Sequence, residues 1–158
     1  MSPMPEEAQN KAPQGMPAPP PAPPYGMPID LGRAIAITEA AMREAKSIGV
    51  AKAIAIAEPS GELVYFVRMD GAPYSATELA QAKALAAARY RRPTAAFGEE
   101  IAKGHLFFLT FPDMVAAPGG VPLVRDGFII GAIGVSGGNG AQDVQVAGAA
   151  VQALTDLA

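Results

Sequence analysis

Few residues in this chain can carry out chemistry, and they are scattered along it. His105 is the only histidine among 158 residues, and cysteine is absent. A single histidine beside an apolar stretch can ligate haem iron or act as a general base, although it can equally be an ordinary hydrogen-bonded side chain. Because thiolates are missing and one imidazole cannot build a non-haem metal site alone, no metal site is expected.

Arg68 and Asp70 stand together in the stretch RMDGA, at the end of an expected strand. An arginine there can orient a small carboxylate or carbonyl compound through its planar set of donors. The alternative is a local ion pair or an Asp-Gly turn. Glu58 is expected on the neighbouring strand, where a Glu58/Asp70 pair could exchange protons if burial separated their pKa values. His105, Asp70 and Glu58 are therefore the catalytic candidates.

The stretch GGVPLVRDGFIIGAIGVSGG at residues 119–138 is rich in glycine. A phosphate-binding loop needs its glycines between a strand and the following helix, and the Walker pattern also needs a lysine that is missing here. Asp126-Gly127 instead fits the two-residue turn of a hairpin. Gly131 and Gly134 lie inside a strand pattern, where they permit close backbone approach. The stretch therefore does not predict a nucleotide site.

The glycines at the ends of this stretch are candidate ligand contacts. Gly137 and Gly138 precede the last helix, where exposed amides could hold a carboxylate or a similar small anion, unless the segment is a plain turn. Asn139 and Gln142 form an expected capping box there, and Asp143 complements the helix dipole. The expected ligand-binding residues are Arg68, His105, Gly119, Gly120, Gly137 and Gly138.

Lys83 lies in the alanine-rich segment SATELAQAKALAAARYRRP, which predicts a helix with Ser75 and Glu78 as a capping box. A buried lysine would permit Schiff-base chemistry or anion binding. The favoured interpretation is an exposed lysine on a stripe with Glu78 or Gln81. The surplus of small apolar surface on this helix predicts packing against a neighbouring subunit.

Periodicity and turn signals predict the elements that must position these residues. Asp30 caps a first helix, and two apolar runs around Pro59-Ser60-Gly61 predict a hairpin. The alanine-rich helix, a short helical piece, the brief apolar run HLFFLTFP, a second hairpin and a last helix follow. Hairpin-joined strands with flanking helices predict an α+β fold built on an antiparallel sheet.

Composition limits the partners. A formal net charge of -3 gives no electrostatic case for nucleic acid or an anionic membrane surface. No apolar run has the length of a membrane span and no signal peptide is visible, so a cytoplasmic protein is expected.

Residues 1–28 hold most of the 16 prolines and predict a disordered arm ahead of a domain at 29–158. Proline removes amide donors and favours an extended, solvated chain. The arm is either a flexible tail or a docking segment through which residues 1–24 recruit a protein partner.

Several separated motifs, taken together, resemble the GlcG/HbpS family, which includes the C-terminal domain of PduO-type proteins. They are YGMPIDL at 25–31, RMDGA at 68–72, AQAKALAAA at 80–88, RRPT at 91–94, GGVPL at 119–123 and IGAIGVSGG at 130–138. The resemblance implies a profilin-like fold, a central antiparallel sheet flanked by helices, and a homo-oligomer, often an octamer. Some relatives bind haem. Ala57-Glu58 and KGHLFFLTFPD at 103–113 depart from the family pattern, so no haem ligand is carried over onto a position of this chain.

The leading interpretation is a small-ligand-binding protein, with haem as the named ligand and a pocket near His105, Arg68 and the GGVPL segment. Two alternatives stay open. One is an enzyme that acts on a small carbonyl or aromatic acid compound by acid–base chemistry. The other is an accessory or assembly protein that recruits a partner through the proline-rich arm.

Overall fold

The computed structural model describes residues 21–157. The elements follow in the order α1 (Leu31–Ser47), β1 (Ala53–Ala57), β2 (Leu63–Arg68), α2 (Ser75–Tyr90), α3 (Thr94–Ala102), a short 3-10 helix (Leu106–Thr110), β3 (Gly120–Arg125), β4 (Phe128–Ser136) and α4 (Gly140–Asp156). The four strands form one sheet in the order β2-β1-β4-β3, and every neighbouring pair is antiparallel. The expected α+β fold is confirmed. None of the described helices is long and apolar enough to cross a membrane.

The sequence of β1, AIAIA, explains how the sheet is covered on both faces. All five residues are buried, and successive side chains of a strand point to opposite faces. Ile54 and Ile56 belong to the main core, together with buried residues of α1 and α4. The alanines of β1 pack instead against α2, in a second cluster formed by Ala53, Ala55, Ala57, Ala76, Ala80 and Ala84.

Small residues allow α2 to lie close against the sheet. A Cβ atom added at Gly134 in β4 would overlap the carbonyl oxygen of Ala80 and lie 2.6 Å from the amide nitrogen of Ala84. The close backbone approach expected at Gly134 is therefore confirmed. Most alanines of α2 are buried by this packing inside the chain, so their surplus gives no argument for a neighbouring subunit.

Caps were predicted at the N-termini of three helices, and two of these predictions are confirmed. Asp30 Oδ1 accepts a hydrogen bond of 2.9 Å from the Arg33 amide, and this bond, together with the Arg33 guanidinium, lowers the pKa of Asp30. Asn139 and Gln142 form the expected capping box of α4. Both caps close the N-terminus of their helix with side-chain oxygens.

The capping box expected at the start of α2 is wrong. Ser75 is already the first helical residue, and the cap position falls on Tyr74, which has helical backbone angles and no side-chain capping bond. The chain enters the helix through a tight turn in which the Ala76 amide donates to the Pro73 carbonyl. A hydroxyl inside the helix cannot serve as its cap. Most of the apolar run HLFFLTFP forms the 3-10 helix.

Residues 24–29 run beside β4 and are not part of a solvated arm. Ile129 donates its amide to the Pro24 carbonyl and accepts from the Gly26 amide, both at 2.8 Å. β1 pairs with β4 only as far as Ala132. Residues 24–29 therefore form hydrogen bonds with backbone groups of β4 that β1 does not reach. Hydrogen bonds to β4 thus begin before residue 29, where the domain was expected to start. Residues 1–20 of the arm expected over 1–28 lie outside the described residues.

We predict that Gly134→Ala lowers the free energy of unfolding by about 3 kcal/mol, because the added methyl group has to displace α2 from the sheet. Urea denaturation of purified protein measures the change. The matched control is Gly148→Ala at an exposed position of α4 where a Cβ atom meets nothing within 4 Å. That variant should gain about 0.5–1 kcal/mol from helix propensity. Equal stability of the two variants would contradict close packing at Gly134.

Candidate functional site

Three charged side chains are buried together where β1 and α4 begin. Lys52 Nζ lies 2.7 Å from Asp143 Oδ1, and Lys83 Nζ lies 3.0 Å from Asp143 Oδ2. Lys83 also donates to the Val135 carbonyl at 2.9 Å. The three side chains are at most 4% exposed. We call them the ion cluster. Two ammonium groups share one carboxylate, so the ion cluster has a formal net charge of one positive unit.

Each member of the ion cluster is positioned by the periodicity of its own segment. Lys52 stands two residues before Ile54 and therefore lies on the same face of β1. Lys83 is three residues after Ala80, on the face of α2 that packs against the sheet. Asp143 occupies the first turn of α4, three and four residues before the buried Val146 and Ala147. The three elements are thus joined at one end of the sheet.

The interpretation of Lys83 as an exposed lysine is wrong, since the residue is 1% exposed. A lysine flanked by alanines on both neighbouring turns lies on the buried face, and this signal was available in the sequence. Lys52 was not identified as a candidate, although its phase with the isoleucines of β1 is visible in AKAIAIA. Its pairing with Asp143 involves positions 91 residues apart, which no local pattern reveals.

Glycines leave space for the ion cluster. A Cβ atom at Gly119 would lie 3.0 Å from Lys83 Nζ, and one at Gly138 would overlap Lys52 Nζ. Gly119 and Gly137 also have φ angles of 122° and 126°, which residues with side chains rarely adopt. Gly120 is buried as well, and its amide donates to Thr94 Oγ1 at 3.0 Å. Gly119 and Gly120, which were expected to bind ligand, are packed against atoms of their own chain.

The predicted pocket that combines Arg68, His105 and the GGVPL segment is not formed by the described residues. Arg68 ends the edge strand β2, whereas Gly120 begins the opposite edge strand β3. The Arg68 guanidinium donates to the Ala72 carbonyl at 3.0 Å and lies 5.1 Å from the ring centroid of Tyr74. Arg68 thus stabilises the RMDGA turn.

The Glu58/Asp70 pair is also wrong. Glu58 follows β1 next to the pair Ala57–Leu63, whereas Asp70 follows the other end of the hairpin, beyond the pair Ala53–Arg68. The length of β1, about 3.3 Å per residue, separates the two carboxylates. Glu58 accepts a hydrogen bond of 2.8 Å from Ser60 Oγ within its turn. The two residues therefore cannot share a proton.

His105 lies between α3 and the 3-10 helix, with its side chain 50% exposed. Its Nδ1 atom is 2.7 Å from Glu100 Oε2, and Lys103 Nζ is 2.8 Å from Glu100 Oε1. The hydrogen bonds from Lys103 and then from His105 lower the pKa of Glu100. Glu100 is therefore a carboxylate acceptor for His105 at neutral pH. Within residues 21–157, Nε2 of His105 has no hydrogen-bond partner.

An exposed apolar surface adjoins His105. The His105 and Phe107 ring centroids are 5.9 Å apart, and the Phe107 and Phe108 rings stack at 4.5 Å. Leu106, Phe107 and Leu109 are 60%, 56% and 63% exposed. We call residues 105–111 the histidine surface. Large apolar side chains exposed side by side mark a site that is covered by a ligand or a partner.

Grooves lie elsewhere on the described part of the molecule, and two of them bear on the predicted ligand residues. One of about 320 Å³ is lined by Pro73, Ser75, Ala76, Leu79, Ser136, Gly137 and Gly138. The expected ligand residues Gly137 and Gly138 are thus at a groove, next to the ion cluster. A larger one of about 480 Å³ lies between residues 26–30 and β4, and none of the expected ligand residues lines it.

We predict that Asp143→Asn lowers the free energy of unfolding by about 3–5 kcal/mol, because it leaves two buried ammonium groups without a counter-charge. Adding Lys83→Met should recover part of the loss, since it removes one of them. Asp156→Asn, at an exposed position of the same helix, is the control and should change stability by less than about 0.5 kcal/mol. A similarly small effect of Asp143→Asn in urea denaturation would show that the cluster charges are unimportant.

Comparison with known proteins agrees with this architecture. The model of the family described as "Haem degrading protein HbpS-like" matches residues 29–152. Protein GlcG of Escherichia coli strain K12 is 44% identical over 103 residues, which cover 65% of this chain and 77% of GlcG. The crystal structure of Klebsiella pneumoniae protein ORFY has a TM-score of 0.79 at 27% identity and covers 85% of this chain and 95% of its own. The crystal structure of the PduOC haem complex has a TM-score of 0.74 at 28% identity, with 80% and 95% covered. On the family match and the identity to GlcG, the chain belongs to the HbpS-like family.

Proposed function

We propose that this protein binds haem on the histidine surface, with Nε2 of His105 as the iron ligand. The observation that carries the proposal is the 2.7 Å contact between His105 Nδ1 and Glu100. Histidines that ligate metals almost always donate their other ring N–H to a carboxylate, carbonyl or water, which fixes the tautomer and leaves the second nitrogen for the metal. Glu100 is a positioning residue in this arrangement.

The surroundings of His105 fit a porphyrin. A haem presents two broad apolar faces, and the exposed side chains of Leu106, Phe107 and Leu109 would lose contact with water against such a face. Lys103, which is also exposed, supplies a cation close to His105. When bound, haem would supply iron-centred redox and ligand-binding chemistry, while this chain's residues hold the iron and exclude water from one face.

The relatives support the same class of ligand. The family description names haem degradation, and a structural neighbour is a haem complex. Self-association, which the family resemblance implies, is a further proposal, and the exposed apolar residues of the histidine surface are available for it. A haem bound there could equally be covered by a second copy of the chain. Catalysis by His105, Asp70 or Glu58, recruitment through residues 1–24 and a cytoplasmic location stay predictions.

We predict that haemin titration gives a saturable, shifted Soret band, and that His105→Ala weakens haemin binding at least about tenfold by removing the iron ligand. Glu100→Gln should weaken it about 10-fold or more, because the ring loses its carboxylate acceptor. Glu99→Gln is the matched control and should bind haemin as the wild type does. Glu99 is exposed on the same helix, and within residues 21–157 its side chain makes no hydrogen bond to His105. Unchanged affinity and an unchanged spectrum in His105→Ala would move the ligand elsewhere, and no saturable shift in wild type would refute haem binding.

A further inference from the structure

We infer that the 320 Å³ groove beside α2 binds a small monocarboxylate, at a site separate from the histidine surface. The groove lies between the first turn of α2 and residues 136–138. Three independent observations favour an anion there: a hydroxyl in the groove lining without a hydrogen-bond partner, a helix N-terminus without a side-chain cap, and an excess of buried positive charge.

The hydroxyl belongs to Ser136, the last residue of β4. Ser136 is only 4% exposed and lines the groove. It stands two residues after Gly134, so its side chain is on the face of the sheet that packs against α2. Among residues 21–157 its hydroxyl has no hydrogen-bond partner. The hydroxyl oxygen is not closed off from solvent, so it is open to the groove, where it can donate to an oxygen atom of a ligand.

The helix N-terminus is that of α2. No side chain caps it, and Ser75 and Ala76 of its first turn line the groove. The positive end of the helix dipole is therefore available at the groove. The N-terminus of α4 differs, because Asn139 and Gln142 close it with their capping box. The sequence-based proposal of an anion on the amides of α4 thus moves to the first turn of α2.

The excess charge comes from the ion cluster. Gly138 lines the groove, and a Cβ atom there would overlap Lys52 Nζ, so the ammonium group lies directly beside a residue of the groove lining. Lys52 and Lys83 together exceed Asp143 by one formal positive charge. The groove lining includes no acidic side chain. Because a buried charge acts over longer distances than an exposed one, the cluster attracts an anion into the groove.

The shape and lining of the groove define the ligand class. One unit of excess charge matches one carboxylate. Pro73, Ala76 and Leu79 form an apolar wall that fits a short aliphatic chain, while Ser75 and Ser136 supply hydroxyl donors. A phosphate dianion would place a second charge beside that wall without a partner. A short-chain aliphatic carboxylate satisfies both parts of the lining.

Butyrate is the probe, with butyramide as its neutral equivalent and inorganic phosphate as the competing anion. Titration of ¹⁵N-labelled protein with butyrate should give saturable amide shifts at Ser75, Ala76, Gly137 and Gly138. Butyramide and phosphate should give none. Ser136→Ala should weaken butyrate binding about tenfold, because a hydrogen bond to a charged group is lost. Ser47→Ala at the end of α1 is the matched control and should bind butyrate as the wild type does.

A second variant tests the groove without changing the buried Ser136, so the test does not depend on how well Ser136→Ala folds. Leu79 is partly exposed, so Leu79→Glu should fold and abolish butyrate binding by placing a negative charge in the groove. The inference is overturned if butyrate gives no saturable shift at tens of millimolar, if butyramide or phosphate binds as well, or if neither variant weakens binding. His105→Ala should leave butyrate binding unchanged, so failure of the haem proposal and failure of this one are distinguishable.

Discussion

The charge pairing of Lys52, Asp143 and Lys83 is the interaction on which the arrangement of layers depends. Each ion loses several kcal/mol of hydration on burial, and only good geometry offsets this cost. Here each lysine has its own oxygen of the carboxylate, at 2.7 and 3.0 Å. One lysine directly precedes β1, the other lies in α2, and the aspartate lies in α4. The carboxylate therefore joins the sheet to a helix on each of its faces.

The two faces of the sheet are built from side chains of different size, and this difference also serves the ion cluster. Isoleucines of β1 fill the space under α1 and α4, whereas alanines and Gly134 bring α2 close to the strands. A side chain as long as lysine can then reach from α2 past the first residues of β3 to Asp143. A larger residue at Gly119 or Gly134 would push α2 away and lengthen these contacts.

Much of the fold could be predicted from local sequence, and the reasons are physical. Asp30, Asn139 and Asp126-Gly127 determine caps and a turn through contacts with residues a few positions away, and such contacts are visible in a short window. Alternation in β1 and the hairpins then indicate an antiparallel sheet. The resemblance to the GlcG/HbpS family carried the same conclusion from separated motifs.

The site could be predicted only in part, because its contacts join distant segments. Lys83 was interpreted as exposed because lysine is rarely buried, although the alanines on the neighbouring turns indicated the buried face. The predicted Glu58/Asp70 pair does not form, because the two residues lie at opposite ends of the β1–β2 hairpin. The prediction placed both residues on neighbouring strands but did not consider the end of the hairpin at which each one lies. His105 was found because its residue type is unique in the chain, but its contact with Glu100 needs the turn between α3 and the 3-10 helix.

The shared carboxylate of Asp143 has a consequence for how this sequence can diverge. Replacing Asp143 alone leaves two buried ammonium groups without a counter-charge, whereas replacing either lysine alone leaves one carboxylate oxygen without its donor. The effects of residues in one network do not add. Gly119 and Gly138 are constrained together with the ion cluster, because a side chain at either position would crowd an ammonium group. Accepted substitutions at these five positions should therefore occur together, as one inherited unit, while their immediate neighbours vary independently.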